Sequence, residues 1–208
     1  MTVALGILAG GQGRRMGGAD KALLTLGDGR AALDHLLDRL TPWPGPVVLN
    51  ANGDPARFAR WDLPVVADSL TEPDGDPAGP LAGLLAVLEW VRAGHPDVSA
   101  VVTVPVDTPL VPRDLRDRLA AARADAGADI ACAASGGRVH HATALWPVAL
   151  APALRTALAD EGLRAVRAWT GRHRVAQAPW AVEPVDPFLS LNTPDDLDRA
   201  RRLTPSPV

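Results

Sequence analysis

The chain has 208 residues, 47% of them hydrophobic and 22% charged, with a formal net charge of −3. That size fits one α/β domain, and so small a charge excludes whole-molecule attraction to nucleic acid or an anionic membrane, so any anion site must be local. The single Cys132 excludes an internal disulfide, and the first apolar stretch is too short and too soon broken by Gly and Arg to read as a signal peptide or membrane span; a soluble, cytoplasmic setting is expected.

Residues 3–8 are a short apolar run bounded by glycines and read as a buried first strand. Beyond the Gly- and Arg-rich stretch that leaves its end, Leu33, Leu36, Leu37 and Leu40 fall at helical spacing and predict a helix over 31–40, ended by the Pro-rich 42–46. Strands are expected over 46–50 and 63–68, each ending on a polar residue. The Pro-, Gly- and Asp-rich 71–80 is a loop, and Gly79-Pro80 opens a helix that buries Leu81, Leu84, Leu85, Leu88 and Val91. Residues 100–104 are the clearest central strand, nearly continuous and apolar as a parallel strand covered on both faces would be. They run into Pro105-Val106-Asp107-Thr108-Pro109.

Further on, a second Pro-started helix is predicted over 112–124, a strand over 129–134 before a Gly136-Gly137 turn, and another strand over 142–147. Helices follow over 148–158 and 163–170, with Trp90 and Trp169 read as packing. A last helix is capped by Thr193 and begun by Pro194, with Arg199, Arg201 and Arg202 at its far end. Strands alternating with helices predict an α/β fold of Rossmann-like, three-layer α/β/α form with a mostly parallel central sheet. Ligands in such folds bind outside the carboxyl ends of the strands. That rule gathers the first loop, Asn50, Asp68 and Asp107 on one edge. Residues 1–203 are read as one domain and 204–208 as a short Pro-rich tail.

The first loop, Leu8-Ala9-Gly10-Gly11-Gln12-Gly13-Arg14-Arg15-Met16-Gly17-Gly18-Ala19-Asp20-Lys21, has the chemistry of a phosphate cradle. Its glycines let the backbone approach a ligand, successive N–H groups can face phosphate oxygens, and two arginines and a lysine add positive charge. Two common phosphate motifs fail here: the dinucleotide fingerprint needs glycine at Met16, and the P-loop needs Gly-Lys-Ser/Thr where Asp20-Lys21-Ala22 stands. Several residues keep two readings. Asp107 is a ligand for a hard cation or a helix cap before Pro109; Asp68 is a nucleotide contact or turn chemistry; Asn50 and Asn52 read a base or ribose, or form a turn. Arg164, Arg167, Arg172, His173 and Arg174 either receive a phosphate-bearing second substrate or make a solvated face.

Leu8-Ala9-Gly10-Gly11 with Arg15-Met16-Gly17 and Asp20-Lys21 resembles the signature of molybdenum cofactor guanylyltransferases (MobA), a family of nucleotidyltransferases. Asn50-Ala51-Asn52, Asp68-Ser69, Gly79-Pro80-Leu81-Ala82-Gly83-Leu84, Val104-Pro105-Val106-Asp107-Thr108-Pro109 and Leu191-Asn192-Thr193-Pro194 resemble its motifs in its order. His140-His141-Ala142-Thr143 does so only in part. The resemblance implies a nucleotidyltransferase fold and transfer of GMP from GTP to the phosphate of molybdopterin, with Mg²⁺. It implies that Lys21, Arg15 and Asp107 are catalytic, with Asp107 on the metal. Leu8, Ala9, Gly10, Gly11, Gly13, Lys21, Asn50, Asp68, Gly79, Pro80, Leu81 and Asp107 would bind the nucleotide, and Asn192, Arg164 and His140 the acceptor. Transient contacts with cofactor-synthesis proteins or acceptor molybdoenzymes are implied, and no nucleic acid or membrane. The alternatives are a nucleotidyltransferase for another base or acceptor (a molybdopterin cytidylyltransferase or a sugar-phosphate enzyme), or a non-catalytic nucleotide-binding protein that delivers cofactor.

Overall fold

The computed structural model describes residues 2–10, 20–71 and 79–205. Within them β1 (Thr2–Leu8), β2 (Val47–Asn50), β3 (Val65–Val66), β4 (Val98–Pro105), β5 (Ile130–Ser135), β6 (Arg138–Pro147) and β7 (Val175–Trp180) form one sheet in the order β3-β2-β1-β4-β6-β5-β7. β6 runs antiparallel to both neighbours and the other pairs are parallel, so the predicted mostly parallel sheet is present with one reversed strand.

Helices cover both faces. α1 (Ala32–Leu40) and α3 (Leu115–Asp125) bring Leu33, Leu36, Leu115 and Leu119 into one apolar cluster with Leu5, Ile7, Val102 and Val104. α2 (Pro80–Gly94), α4 (Ala151–Ala159) and α5 (Val166–Thr170) join Ala4, Val101 and Trp146 in a second cluster on the opposite face. Burial from both sides is why β4 is a nearly continuous apolar run instead of an alternating one. A Cβ at Gly6 would stand 2.6 Å from Val87 Cγ1, so glycine there sets how closely α2 lies on β1. α6 (Pro194–Leu203), capped by Thr193 as predicted, packs Leu197 and Ala200 with Leu26 and Ala32 near the start of α1.

Several boundaries differ from those expected. α3 begins at Leu115 with Asp114 before it, because residues 112–114 form a turn; β3 shrinks to two residues; 163–165 are not helical. β7 was not predicted. β6 starts at Arg138, forming a hairpin with β5 through Gly136 and Gly137, whose φ values of 53° and 75° suit a tight turn. Its register against β5 jumps from Cys132↔Ala144 to Ala133↔His140, leaving residues 141–143 as a bulge. Bulges re-aim side chains beside sites. Thr103 Oγ1 holds this one by donating to Ala142 O at 2.8 Å while accepting from Trp146 Nε1 at 2.8 Å. At the carboxyl edge Leu8 is in register with Asn50 on β2 and Pro105 on β4, so three strands end at one level. Among the described residues no helix is long and apolar enough to cross a membrane.

Candidate active site

A cavity of about 450 Å³ opens above this edge, within the size range of small-molecule sites. Leu8, Ala9 and Gly10 reach it from the end of β1, Asn50 from β2, Asp107 from beyond β4, and Gly79, Pro80 and Gly83 from the start of α2; Lys21, Asp68 and Ala142 complete the wall.

Lys21 is the hub of its polar side. It opens a short 3-10 turn capped by Asp20, whose Oδ1 accepts from Ala22 N at 3.0 Å. Its Nζ donates to Asp107 Oδ2 and to Asn192 Oδ1, both at 2.7 Å. The Lys21 and Asp107 side chains are 16% and 20% exposed, shielded enough for their charges to interact strongly yet open to a ligand. Asp107 sits in a fixed turn: Thr108 Oγ1 donates to Pro105 O at 2.7 Å, Val106 N donates to Leu8 O at 3.0 Å, and Asp107 O accepts from Leu191 N at 2.8 Å. The helix-cap reading of Asp107 is excluded, since α3 starts eight positions later with Asp114 as its N-cap residue.

On the other side of β1, Asn50 and Asn52 converge on Asp68. Asn50 Nδ2 donates to Asp68 Oδ1 at 2.9 Å and to Val66 O at 3.2 Å, Asn52 Nδ2 donates to Asp68 Oδ2 at 2.8 Å, and Asp68 N donates to Asn52 Oδ1 at 2.9 Å. With both its N–H donors committed, Asn50 has its orientation fixed, and its Oδ1 lies toward Gly83 and Gly10. A Cβ on Gly83 would come 2.2 Å from that oxygen, so the helix can approach only as glycine. Arg57 ties this cluster to the Lys21 turn, donating from Nε to Asp20 Oδ2 at 2.8 Å and from Nη2 to Asn52 O at 2.6 Å.

A lysine paired with a carboxylate in the wall of a cleft at a mostly parallel sheet's carboxyl edge suits a polyanionic nucleotide. Residues 5–176 match the MobA-like NTP transferase domain family. The chain belongs to this family. The MobA-like chain is 51% identical over 197 residues to the molybdenum cofactor guanylyltransferase of Rhodopseudomonas palustris (strain HaA2), covering 95% of this chain and 90% of the relative. It is 49% identical over 199 residues to that of Bradyrhizobium sp. (strain ORS 278), covering 95% and 91%. The fold is shared with molybdopterin-guanine dinucleotide biosynthesis protein A from Archaeoglobus fulgidus, at a TM-score of 0.73 and 22% identity over 96% of this chain and 97% of that one.

Not every residue named from the sequence of this MobA-like chain reaches the cavity. Gly11, Gly13 and Arg15 lie outside the described residues. Leu81 is fully buried in the apolar cluster beneath α2, so Gly79, Pro80 and Gly83 present that helix to the cavity instead. Arg164 Nη1 donates to Leu158 O and Leu163 O at 2.8 and 2.9 Å, an arrangement that closes the chain after α4. His140 Nε2 pairs with Ser135 Oγ, and His141 Nδ1 with Thr170 Oγ1, each at 2.8 Å. Sequence reading missed Arg57, Ser135, Thr103 and Asp186. Only Arg57 left a trace, as the cation three positions after the turn-forming Asp54.

Proposed function

We propose that this chain transfers GMP from GTP to the terminal phosphate of molybdopterin, releasing pyrophosphate and forming a guanine dinucleotide cofactor. The guanylyltransferase names of relatives near 50% identity supply the substrates. The observation that carries the chemistry is the Lys21–Asp107–Asn192 contact at the cavity mouth. In this reading residues 1–203 act as one nucleotidyltransferase domain in the cytoplasm, and transient contact with cofactor-synthesis proteins or acceptor molybdoenzymes delivers the product.

Leu8, Ala9, Gly10, Gly11 and Gly13 wrap the nucleotide, Asn50 and Asp68 hold its nucleoside end, and Gly79 and Pro80 close over the base. Lys21, with Arg15, stabilises charge building on the β- and γ-phosphates as the bond between the α-phosphorus and the bridging oxygen breaks. A bond from an acceptor phosphate oxygen to the α-phosphorus replaces it. No general base is required, because a phosphate monoester has its second pKa near ~6 and arrives largely dianionic. Asn192 serves the acceptor side with His140, and Arg164 does so only indirectly, by holding the chain after α4 in place.

Asp107 fits Mg²⁺. Among the described residues no cluster of three or more metal-ligating side chains forms, and Mg²⁺ typically takes one or two carboxylates and completes its shell with water and substrate phosphates. When bound, the ion screens the two phosphates from each other and polarises the α-phosphoryl group. Pyrophosphate release, measured with GTP and with CTP in the presence of molybdopterin, tests the reading. Release with GTP is expected; a preference for CTP, or a GTP complex that never turns over, overturns it.

A further inference from the structure

Beyond the cavity, the carboxyl edge carries a polar network that the transfer chemistry leaves unused. Buried Ser135, at the end of β5, donates from Oγ to Asp186 Oδ1 at 2.8 Å, and His140 Nε2 lies 2.8 Å from Ser135 Oγ. A serine hydroxyl has one hydrogen, and here it is committed to Asp186. Nε2 must then be the donor to Oγ, and in a neutral ring Nδ1 is left as a bare acceptor. Burial lowers the His140 pKa, Arg138 and His141 add to the effect and Asp186 opposes it, so the ring is neutral at neutral pH. Nδ1 has no partner among the described residues, and it is not among their buried unpaired atoms, so it meets solvent.

The position of the ring says what it faces. His140 stacks on Phe188 at 4.6 Å, and Phe188 meets Trp180 edge-on at 5.3 Å, which places three rings in a row in a chain that is only 4% aromatic. Two residues of chain, spanning at most about 7 Å, separate His140 from Ala142 in the cavity wall. Phe188 precedes Leu191, whose N–H is bonded to Asp107 O. The sheet order puts β6 on the side of β4 away from β1 and β2. His140 therefore stands across Asp107 from Asn50 and Asp68, on the side left for an acceptor that attacks in line with the departing group.

We propose that His140 Nδ1 is a specificity contact for the acceptor's heterocycle, accepting a hydrogen bond from a ring N–H or exocyclic amino group of a pterin. This inference rests on the transfer reading above. It assigns His140 to the ring and not to the phosphate, because a bare nitrogen lone pair repels phosphate oxygens, which need donors or cations. Ser135 and Asp186 are positioning residues: they fix the tautomer that makes Nδ1 an acceptor.

The test uses two substitutions of opposite design on the full chain. In His140→Gln the side-chain amide can still donate to Ser135 but loses the acceptor at the δ position; in His140→Asn a carbonyl replaces Nδ1 and the Ser135 link is lost. The KM for molybdopterin is expected to rise about tenfold in His140→Gln, the size of one lost hydrogen bond, with the KM for GTP unchanged. His140→Asn should recover most of that loss. Equilibrium binding of a pterin without phosphate should show the same penalty in His140→Gln. No penalty, an equal penalty in both variants, or one confined to the phosphate-bearing acceptor overturns the proposal. Wild-type chain that releases no pyrophosphate from GTP and molybdopterin overturns the transfer reading instead, while binding of the phosphate-free pterin still decides the His140 contact.

Discussion

Lys21 Nζ stands 2.7 Å from Asp107 Oδ2, so the cation assigned to the leaving phosphates and the carboxylate assigned to the metal neutralise each other across 86 positions of chain. A divalent ion and Lys21 therefore compete for one oxygen, and a polyphosphate that draws Lys21 away frees that oxygen. Mn²⁺, used as a spectroscopic stand-in for Mg²⁺, should bind weakly without nucleotide and about tenfold or more tightly with GTP, by analogy with close charge pairs of this strength. In Lys21→Gln the competing charge is gone. Its nucleotide-free Mn²⁺ affinity, read by electron paramagnetic resonance, should rise while turnover falls on the order of 10²–10³-fold. Unchanged Mn²⁺ affinity would remove Lys21 as a competitor.

Gly83 is the least replaceable residue of the cavity wall. Asn50 is 1% exposed and both its N–H donors are bonded, so its Oδ1 can retreat from a Cβ placed 2.2 Å away only by breaking those bonds. Alanine favours a helix over glycine by about 1 kcal/mol, which offsets part of the strain. Gly83→Ala should thus lower stability by about 1–2 kcal/mol net, because the Asn50–Asp68 bond must break to admit the methyl group, and weaken GTP binding about tenfold or more. A calorimetric titration with GTP checks this, and wild-type affinity would exclude the Asn50–Asp68 pair from the nucleotide site.

The parts of this fold legible in the sequence are those with strong periodicity. The leucines of α1, the apolar run of β4 and the Thr193-Pro194 start of α6 each follow from local chemistry. β7 hides because its inward residues Ala176 and Ala178 are small and Pro179 lowers strand propensity, so alternation shows only in the burial pattern. The start of β6 hides behind exposed Arg138 and the half-buried His140 and His141, polar groups beside a bulge. Asn50, Asp68 and Asp107 could be gathered on one edge from the rule for parallel sheets. The Ser135–His140–Asp186 network could not, since it depends on a register shift within one hairpin and on a segment 51 positions away.

Acid should weaken the fold before carboxylates titrate. His140, His141 and His173 all have lowered pKa values, burial being the largest cause in each. His173 Nε2 is in addition buried without a partner, beside Trp169. Each ring takes a proton less readily when folded than unfolded. Between the lowered values and the ordinary 6.5 the unfolded chain holds more protons, so stability rises with pH through that window. The penalty is complete below the folded values and gone above about 6.5. Urea unfolding from pH 5 to 8 should show this rise, and His173→Gln should flatten it. A slope unchanged in that variant would exclude His173 as a contributor.

Thr103 joins the core to the cavity wall through one hydroxyl. It accepts from the indole of fully buried Trp146 and donates to Ala142 O in the β6 bulge. Valine has a similar shape but can do neither, leaving a buried N–H without an acceptor and a carbonyl without its donor. An unpaired buried group costs about 1–3 kcal/mol, so Thr103→Val should lose about 2 kcal/mol or more in urea unfolding. Thr103→Ser keeps both bonds and gives up one methyl of packing, about 1 kcal/mol. The expected order of stability is therefore wild type, serine, valine. Because Ala142 lines the cavity, the valine variant should also bind substrate more weakly, whereas the serine variant should not. Equal stability of the two variants would mean that packing, and not the hydroxyl, holds the bulge in place.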